Sequence, residues 1–201
     1  MTVPAVARRI GVGSTLPVHK SRSVRQVDDP RVARTRAAIA AAFLALVRRR
    51  AYGRIRVSDI TRKARVGRAT FYAHFSSKDG LLRDEICRVV VPMILARRDD
   101  SCLVDCTALF AHVLQSGEIY RSLTAGPTRP VVERIVQDAI EARVGQVVAS
   151  RSPPRAVAEF VPRFVAATLL TLIAWSLEQP CPPEPAGLQQ MFRALVGRAL
   201  G

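Results

Sequence analysis

The stretch VSDITRKARVGRATFYAHFSSKDGLL, residues 57–82, holds two short helical patterns and the start of a third around a three-residue break. Ser58 and Asp59 offer capping oxygens at the start of the first pattern, in which Val57, Ile60 and Ala64 share a face. Arg65-Val66-Gly67 interrupts it. The second pattern runs from about Arg68 to Phe75, and Phe71 and Phe75, four residues apart, fall on one side. Ser76-Ser77 ends that helix, and Ser77 is placed to cap a further one that turns Leu81, Leu82 and Ile86 inward. Two short helices joined by so tight a turn predict a helix-turn-helix.

The charge of the chain gathers around this stretch. The 201 residues carry a net +15, of which residues 31–80, with thirteen basic and two acidic side chains, hold +11. A solvated face would intersperse acids among the bases, and this block nearly lacks them. The pattern implies a polyanionic partner, nucleic acid first and an acidic membrane surface second.

On the second helix the two faces separate. Phe71 and Phe75 are spaced to pack on Val57, Ile60 and the preceding helix, whereas Arg68, Ala69, Tyr72 and Ala73 point the other way. Small residues at 69 and 73 let a helix approach base edges, and Arg68 can offer a bidentate fork to guanine. Thr70, Tyr72 and His74 supply groups suited to phosphate, and Lys78 adds an ammonium at the next helix start.

The rest of the chain predicts an all-helical fold. Residues 1–30 mix Gly, Pro, Ser, Val and Arg without periodicity, and are expected to form a flexible, solvated basic arm; if Arg8, Arg9, Lys20, Arg22 and Arg25 bind DNA, they add affinity without much specificity. From Arg31 the pattern is helical: Ile39, Phe43, Leu46 and Val47 form one stripe of a helix ending near Tyr52-Gly53. The helix after Ser77 is expected to bend near Pro92. Leu103, Phe110, Val113 and Leu114 suggest another helix, Ile119 to Leu123 a short one, and Val131, Ile135 and Ala139 the start of a longer one. Arg155 to Glu178 reads as a long helix, apolar nearly all round in its second half, with Pro162 as a possible kink. A last helix carries Leu188, Met191, Phe192, Leu195, Val196 and Ala199 on one stripe. Two such apolar helices in a chain this small predict a partner subunit, and a homodimer through them is the expected form. The domain division is then an arm at 1–30, a DNA-binding domain at 31–78, and a helical sensing and dimerisation domain at 79–201.

The residues also carry a resemblance. Residues 34–86, and above all Thr70, Phe71, Tyr72, His74, Phe75, Lys78, Leu81 and Leu82 at their spacing, resemble the DNA-binding segment of the tetracycline-repressor (TetR) family. The resemblance implies that Arg68, Ala69 and Ala73 face bases, that Thr70, Tyr72, His74 and Lys78 hold phosphates, and that Arg34 and Ser58 contribute from the first two helices. It also implies a repressor released from a palindromic operator by a small-molecule effector. The sequence departs from the family in two places: Arg65 stands where glycine is usual, and Gly67 where a capping serine or threonine is usual. Arg65 is expected to take a left-handed conformation at a cost of roughly 1 kcal/mol against glycine.

Other readings are weaker. Phe110 and Trp175, and more weakly Tyr120 and Phe164, are candidates for lining an effector pocket, although rings at helical spacing more often form core. Cys102, Cys106 and His112 could be imagined as a redox or metal sensor, but free cysteine is more often a small buried hydrophobe, and neither a metal nor another cofactor is expected. The longest uncharged apolar run, Phe164 to Leu177, has 14 residues against the roughly 20 of a membrane span, so a cytoplasmic protein without membrane attachment is expected. The rival to a specific regulator is a non-specific, architectural DNA binder. An enzyme is disfavoured by the lack of a Gly-rich phosphate loop, of paired carboxylates near a histidine, and of a GxSxG elbow.

Overall fold

The computed structural model describes residues 29–96, 103–150 and 154–200. The N-terminal arm before Asp29, with its five basic residues, and Cys102 lie outside them. Asp29 belongs to the fold: its carboxylate accepts from the Arg31 N–H at 2.8 Å and caps helix α1 (Pro30–Val47), which begins at Pro30, inside the stretch assigned to the arm. Ile39, Phe43 and Val47 on α1 are fully buried. The helix stops at Val47, earlier than its periodicity predicts, and a single 3₁₀ turn (Tyr52–Arg54) places Tyr52 in the core.

Helices α2 (Val57–Ala64), α3 (Arg68–His74) and α4 (Lys78–Glu85) follow. The start of α2 is held by Asp59 alone, whose carboxylate accepts from the Arg56 N–H at 3.0 Å; Ser58 makes no capping bond, because the helix begins one residue before it. Ser77 caps α4 as its position predicts, its hydroxyl oxygen accepting from the Gly80 N–H at 2.9 Å.

Beyond Glu85 the chain does not bend at Pro92 and continue. It widens into a π-helical turn (Ile86–Val90), tightens into a 3₁₀ turn containing Pro92, and leaves helix altogether. Leu95–Ala96 (β1) then pairs antiparallel with Val104–Asp105 (β2), a two-residue ladder too short to show as alternation. Leu103 is buried but precedes helix α5 (Thr107–Gln115) instead of lying on it. Helix α6 (Gly117–Thr124) ends before Gly126-Pro127, and α7 (Arg129–Ala149) turns Val132 inward while Val131 is 45% exposed, one residue out of the expected phase.

Helices α7 and α8 (Arg155–Glu178) pack along each other, and α9 (Pro185–Leu200) lies against α5 and α8. Leu188, Phe192 and Val196 of α9 are fully buried. Gln189 beside them is buried as well, its side chain accepting from the Cys106 N–H at 2.8 Å and donating to the Val104 carbonyl at 3.3 Å. By length and composition α8 could cross a membrane, yet Val165, Ala166 and Leu169 are fully buried within the protein. Its outer side is different: Phe160 is 65% exposed, and on α9 Met191 and Leu195 are 38% and 53% exposed.

Candidate nucleic-acid interface

The geometry of α3 follows from what its rings bury. Phe71 is fully buried and Phe75 nearly so, their centroids 5.7 Å apart, and Tyr72 meets the Phe71 ring edge-on at 5.4 Å while itself 49% exposed. With that side fixed against α1 and α2, Arg68, Ala69, Thr70, Tyr72 and Ala73 form one exposed face. Arg34 on α1 is also exposed, and Ser58 on α2 is half-buried. Arg68 makes no ion pair among the described residues, so its guanidinium is available to an outside partner.

The turn before α3 has the left-handed residue that the sequence demands of Arg65, at φ 56° and ψ 42°. Gly67 enters α3 from an extended conformation and offers no side-chain cap.

Arg36 of α1 fixes the other end of α3 and was not singled out by the sequence. Its Nη1 donates to the His74 carbonyl at 3.1 Å, its Nη2 meets the Asp84 carboxylate at 2.5 Å, and its guanidinium lies 4.6 Å from the Phe75 ring centroid. One side chain thus ties α1, α3 and α4 together. His74 gives up its carbonyl to this bond, and its half-buried imidazole lies beside Phe75.

The Lys78 ammonium, expected at phosphate, also has partners inside the protein. Its Nζ donates to the Tyr52 carbonyl at 2.9 Å and the Ile55 carbonyl at 3.1 Å, and sits 4.0 Å from the Tyr52 ring centroid. Burial lowers its pKa from the ordinary lysine value, against the opposing pull of Asp79. Two carbonyls and a ring surround the charge, so Lys78 positions α4 on the Tyr52 turn. A long flexible stem can reach either way, and sequence spacing does not say which.

Tyr52 completes this cluster by donating its phenolic hydrogen to the Asp79 carboxylate. Burial first, then that hydrogen bond, hold its pKa far above the ordinary phenol value. A phenol favoured in its neutral form stabilises the fold fully below pH 10, where the unfolded phenol also stays protonated. That contribution is lost as pH rises beyond 10 towards the folded value. Tyr52→Phe is expected to cost about 1 kcal/mol at pH 7 and to make stability fall less steeply above pH 10. Urea unfolding at several pH values checks both. A variant that parallels the original protein throughout the alkaline range would remove Tyr52 as the source.

Behind the DNA-binding helices a cavity of about 860 Å³ opens between the two parts of the chain. Phe43 and Val47 of α1, Leu82 of α4, Ile86 of the π turn after it, and Trp175 of α8 are among its lining residues. Phe110, the other candidate, does not line it: it is fully buried against the Phe192 ring, 6.4 Å between centroids, as part of the core. Glu85 faces the cavity but is paired with Arg88 at 2.5 Å; Tyr120, a weaker candidate from the sequence, also lines it, as does His112, which was not foreseen as a pocket residue. Near the cavity, the Ser122 hydroxyl of α6 donates to the Arg50 carbonyl at 2.9 Å, a direct bond between the C-terminal helices and the end of α1.

A three-helix unit whose third helix is exposed in this way, inside a basic block, is a helix-turn-helix DNA-binding domain. Residues 39–84 match the family described as bacterial regulatory proteins, tetR family. Over 83 residues it is 41% identical to YxbF, an HTH-type transcriptional regulator of Bacillus subtilis (strain 168). That match covers 41% of this chain and only 21% of YxbF, about a fifth of its length. In overall fold the chain is similar to a TetR transcriptional regulator from Streptococcus agalactiae 2603V, with a TM-score of 0.57 at 22% identity over 83% of this chain and 95% of that one. It is likewise similar to TylP, a TetR regulator from Streptomyces fradiae, with a TM-score of 0.56 at 20% identity over 84% and 87% of the two chains. These likenesses extend the resemblance in fold beyond the DNA-binding domain.

Proposed function

We propose that this chain is a homodimeric transcriptional repressor that binds a twofold-symmetric DNA operator and is released from it by a small apolar molecule held in the 860 Å³ cavity. The observation that carries the reading is the exposed face of Arg68, Ala69, Thr70, Tyr72 and Ala73 on a helix pinned by Phe71 and Phe75, inside a block that carries +11. In this reading Arg68 forks onto guanine, and Ala69 and Ala73 allow the close approach. Thr70, Tyr72 and His74 grip phosphates beside them, with Arg34 and Ser58 adding contacts from α1 and α2. Lys78 acts by holding α4 in place.

Release follows from where the cavity lies. Its walls include α1 and α4, the two helices that Arg36 ties to α3, so a ligand that fits one arrangement of them better than another shifts the spacing of the two recognition helices. On DNA those helices stand roughly 34 Å apart, one turn of the duplex. The proposed site of action is the cytoplasm.

Selection of bound sequences from a random duplex pool tests the reading. The expected product is one motif with twofold symmetry, and Arg68→Ala is expected to weaken binding to it by about 1–3 kcal/mol while relaxing the preference at one base pair of each half-site. Equal retention of all sequences would replace the specific regulator with a non-specific binder.

A further inference from the structure

We propose that Arg65 is a phosphate contact in its own right, standing at the wall of the groove that α3 enters, and that this contact is what arginine supplies in place of an unstrained glycine. The inference depends on the DNA-binding reading above.

The last turn of α2 closes with the Arg65 N–H donating to the Arg62 carbonyl at 3.3 Å and the Val66 N–H to the Thr61 carbonyl at 3.0 Å. These are the two bonds of a Schellman motif, which needs a left-handed residue at position 65. Glycine takes that conformation without strain, whereas an arginine brings its Cβ against the backbone. Among the described residues Arg65 is the only non-glycine with positive φ. Nothing within the protein offsets the strain: the side chain is exposed and makes no ion pair or hydrogen bond among the described residues. Its neighbour Arg62, by contrast, has Asp59 at 3.7 Å. Strain kept at an exposed residue with no internal partner directs attention to a partner outside the chain.

The position fits one kind of partner. Arg65 lies three residues before Arg68, the first residue of α3, so the chain between them spans at most about 10 Å. The major groove is roughly 12 Å wide between its phosphate walls. A residue that far from one reading a base edge therefore stands near a wall, where a guanidinium fork matches phosphate oxygens. Arg62 and Lys63, both exposed, extend the same basic edge.

The test uses the full chain with Arg65→Gly or Arg65→Lys, each titrated across a salt series onto two duplexes, the sequence enriched from the random pool and a random-sequence duplex of equal length. Arg65→Gly is expected to melt at a higher temperature yet bind both duplexes roughly threefold to tenfold more weakly near physiological salt. The slope of log affinity against log salt is expected to fall by about one per subunit. Arg65→Lys, which keeps both the charge and the strain, should retain the slope and the melting temperature. Greater stability with weaker binding in one variant is a combination that a purely structural role does not give. Unchanged affinity and slope in Arg65→Gly would overturn the proposal and leave the DNA-binding reading intact so long as Arg68→Ala still loses preference for the enriched sequence. If the unaltered chain binds neither duplex, both fall together.

Discussion

Phe71→Ala is expected to lower the stability of the DNA-binding helices by about 3–5 kcal/mol, enough to leave α3 unfolded or loosely held at moderate temperature. Phe71 is fully buried, touches the rings of both Tyr72 and Phe75, and is the only fully buried side chain that α3 contributes. A seven-residue helix has too few internal hydrogen bonds to persist alone, so its existence depends on this anchor. The loss comes from the removed ring and from the cavity left behind, since α1 and α2 collapse only partly into the space. Phe71→Leu, which keeps most of the volume, should cost less than about 1.5 kcal/mol and retain DNA binding. Denaturant titration followed by circular dichroism reads the first effect, and duplex binding by the two variants reads the second. A loss under 1 kcal/mol for the alanine variant would mean that α3 is held by something other than its ring.

Much of this was legible because burial imposes a period. Ile39, Phe43, Leu46 and Val47, or Leu188, Phe192 and Val196, repeat at helical spacing because a helix presents only one side to a core, and the structure buries each of them. The bounds of α8 could be read from the prolines before Arg155 and the polar stop after Glu178. Where one pattern satisfies two geometries the sequence did not choose. Val131 and Val132 are adjacent valines, and only tertiary packing decides which turns inward. After Glu85 the adjacent Val89, Val90 and Val91 offer an apolar side chain to the core in any helical phase, so the π turn and the unwinding ahead of Pro92 left no trace in the apolar spacing.

The site divides along the same line. Phe71 and Phe75 against Arg68, Ala69, Tyr72 and Ala73 is a matter of helical face, and the faces fall where the spacing puts them. The roles of Lys78 and Arg36 turn on long side chains whose targets are far away in sequence. Arg36 reaches a carbonyl 38 residues on, and Lys78 one 26 residues back. Phe110 and Trp175 looked alike as aromatic residues on apolar helices. Phe192, more than 80 residues later in the chain, took Phe110 into the core, while Trp175 remained 38% exposed at the cavity.

Phe160→Glu combined with Leu195→Glu is expected to turn the proposed dimer into a monomer that still folds. Within one chain the two side chains are 65% and 53% exposed, so charging them there should change the stability of the subunit by no more than about 0.5 kcal/mol each. In a dimer formed through α8 and α9 the same carboxylates would be buried against apolar surface, Phe160 with the Phe164 ring stacked on it at 5.8 Å, and an unpaired buried charge is strongly unfavourable. The effect on DNA binding is larger than either change suggests. Two linked domains meet a symmetric site as one ligand, the second half-site being filled at an effective concentration near the millimolar range, and unlinking them removes that gain. Affinity for the full site is expected to fall by roughly 10²–10⁴-fold, and the salt slope by about half, since each monomer covers half the phosphates. Sedimentation equilibrium and duplex titration of the same preparation measure the two consequences together. An unchanged dimer mass would move the interface elsewhere, and a monomer with undiminished affinity would mean that one domain suffices for the site.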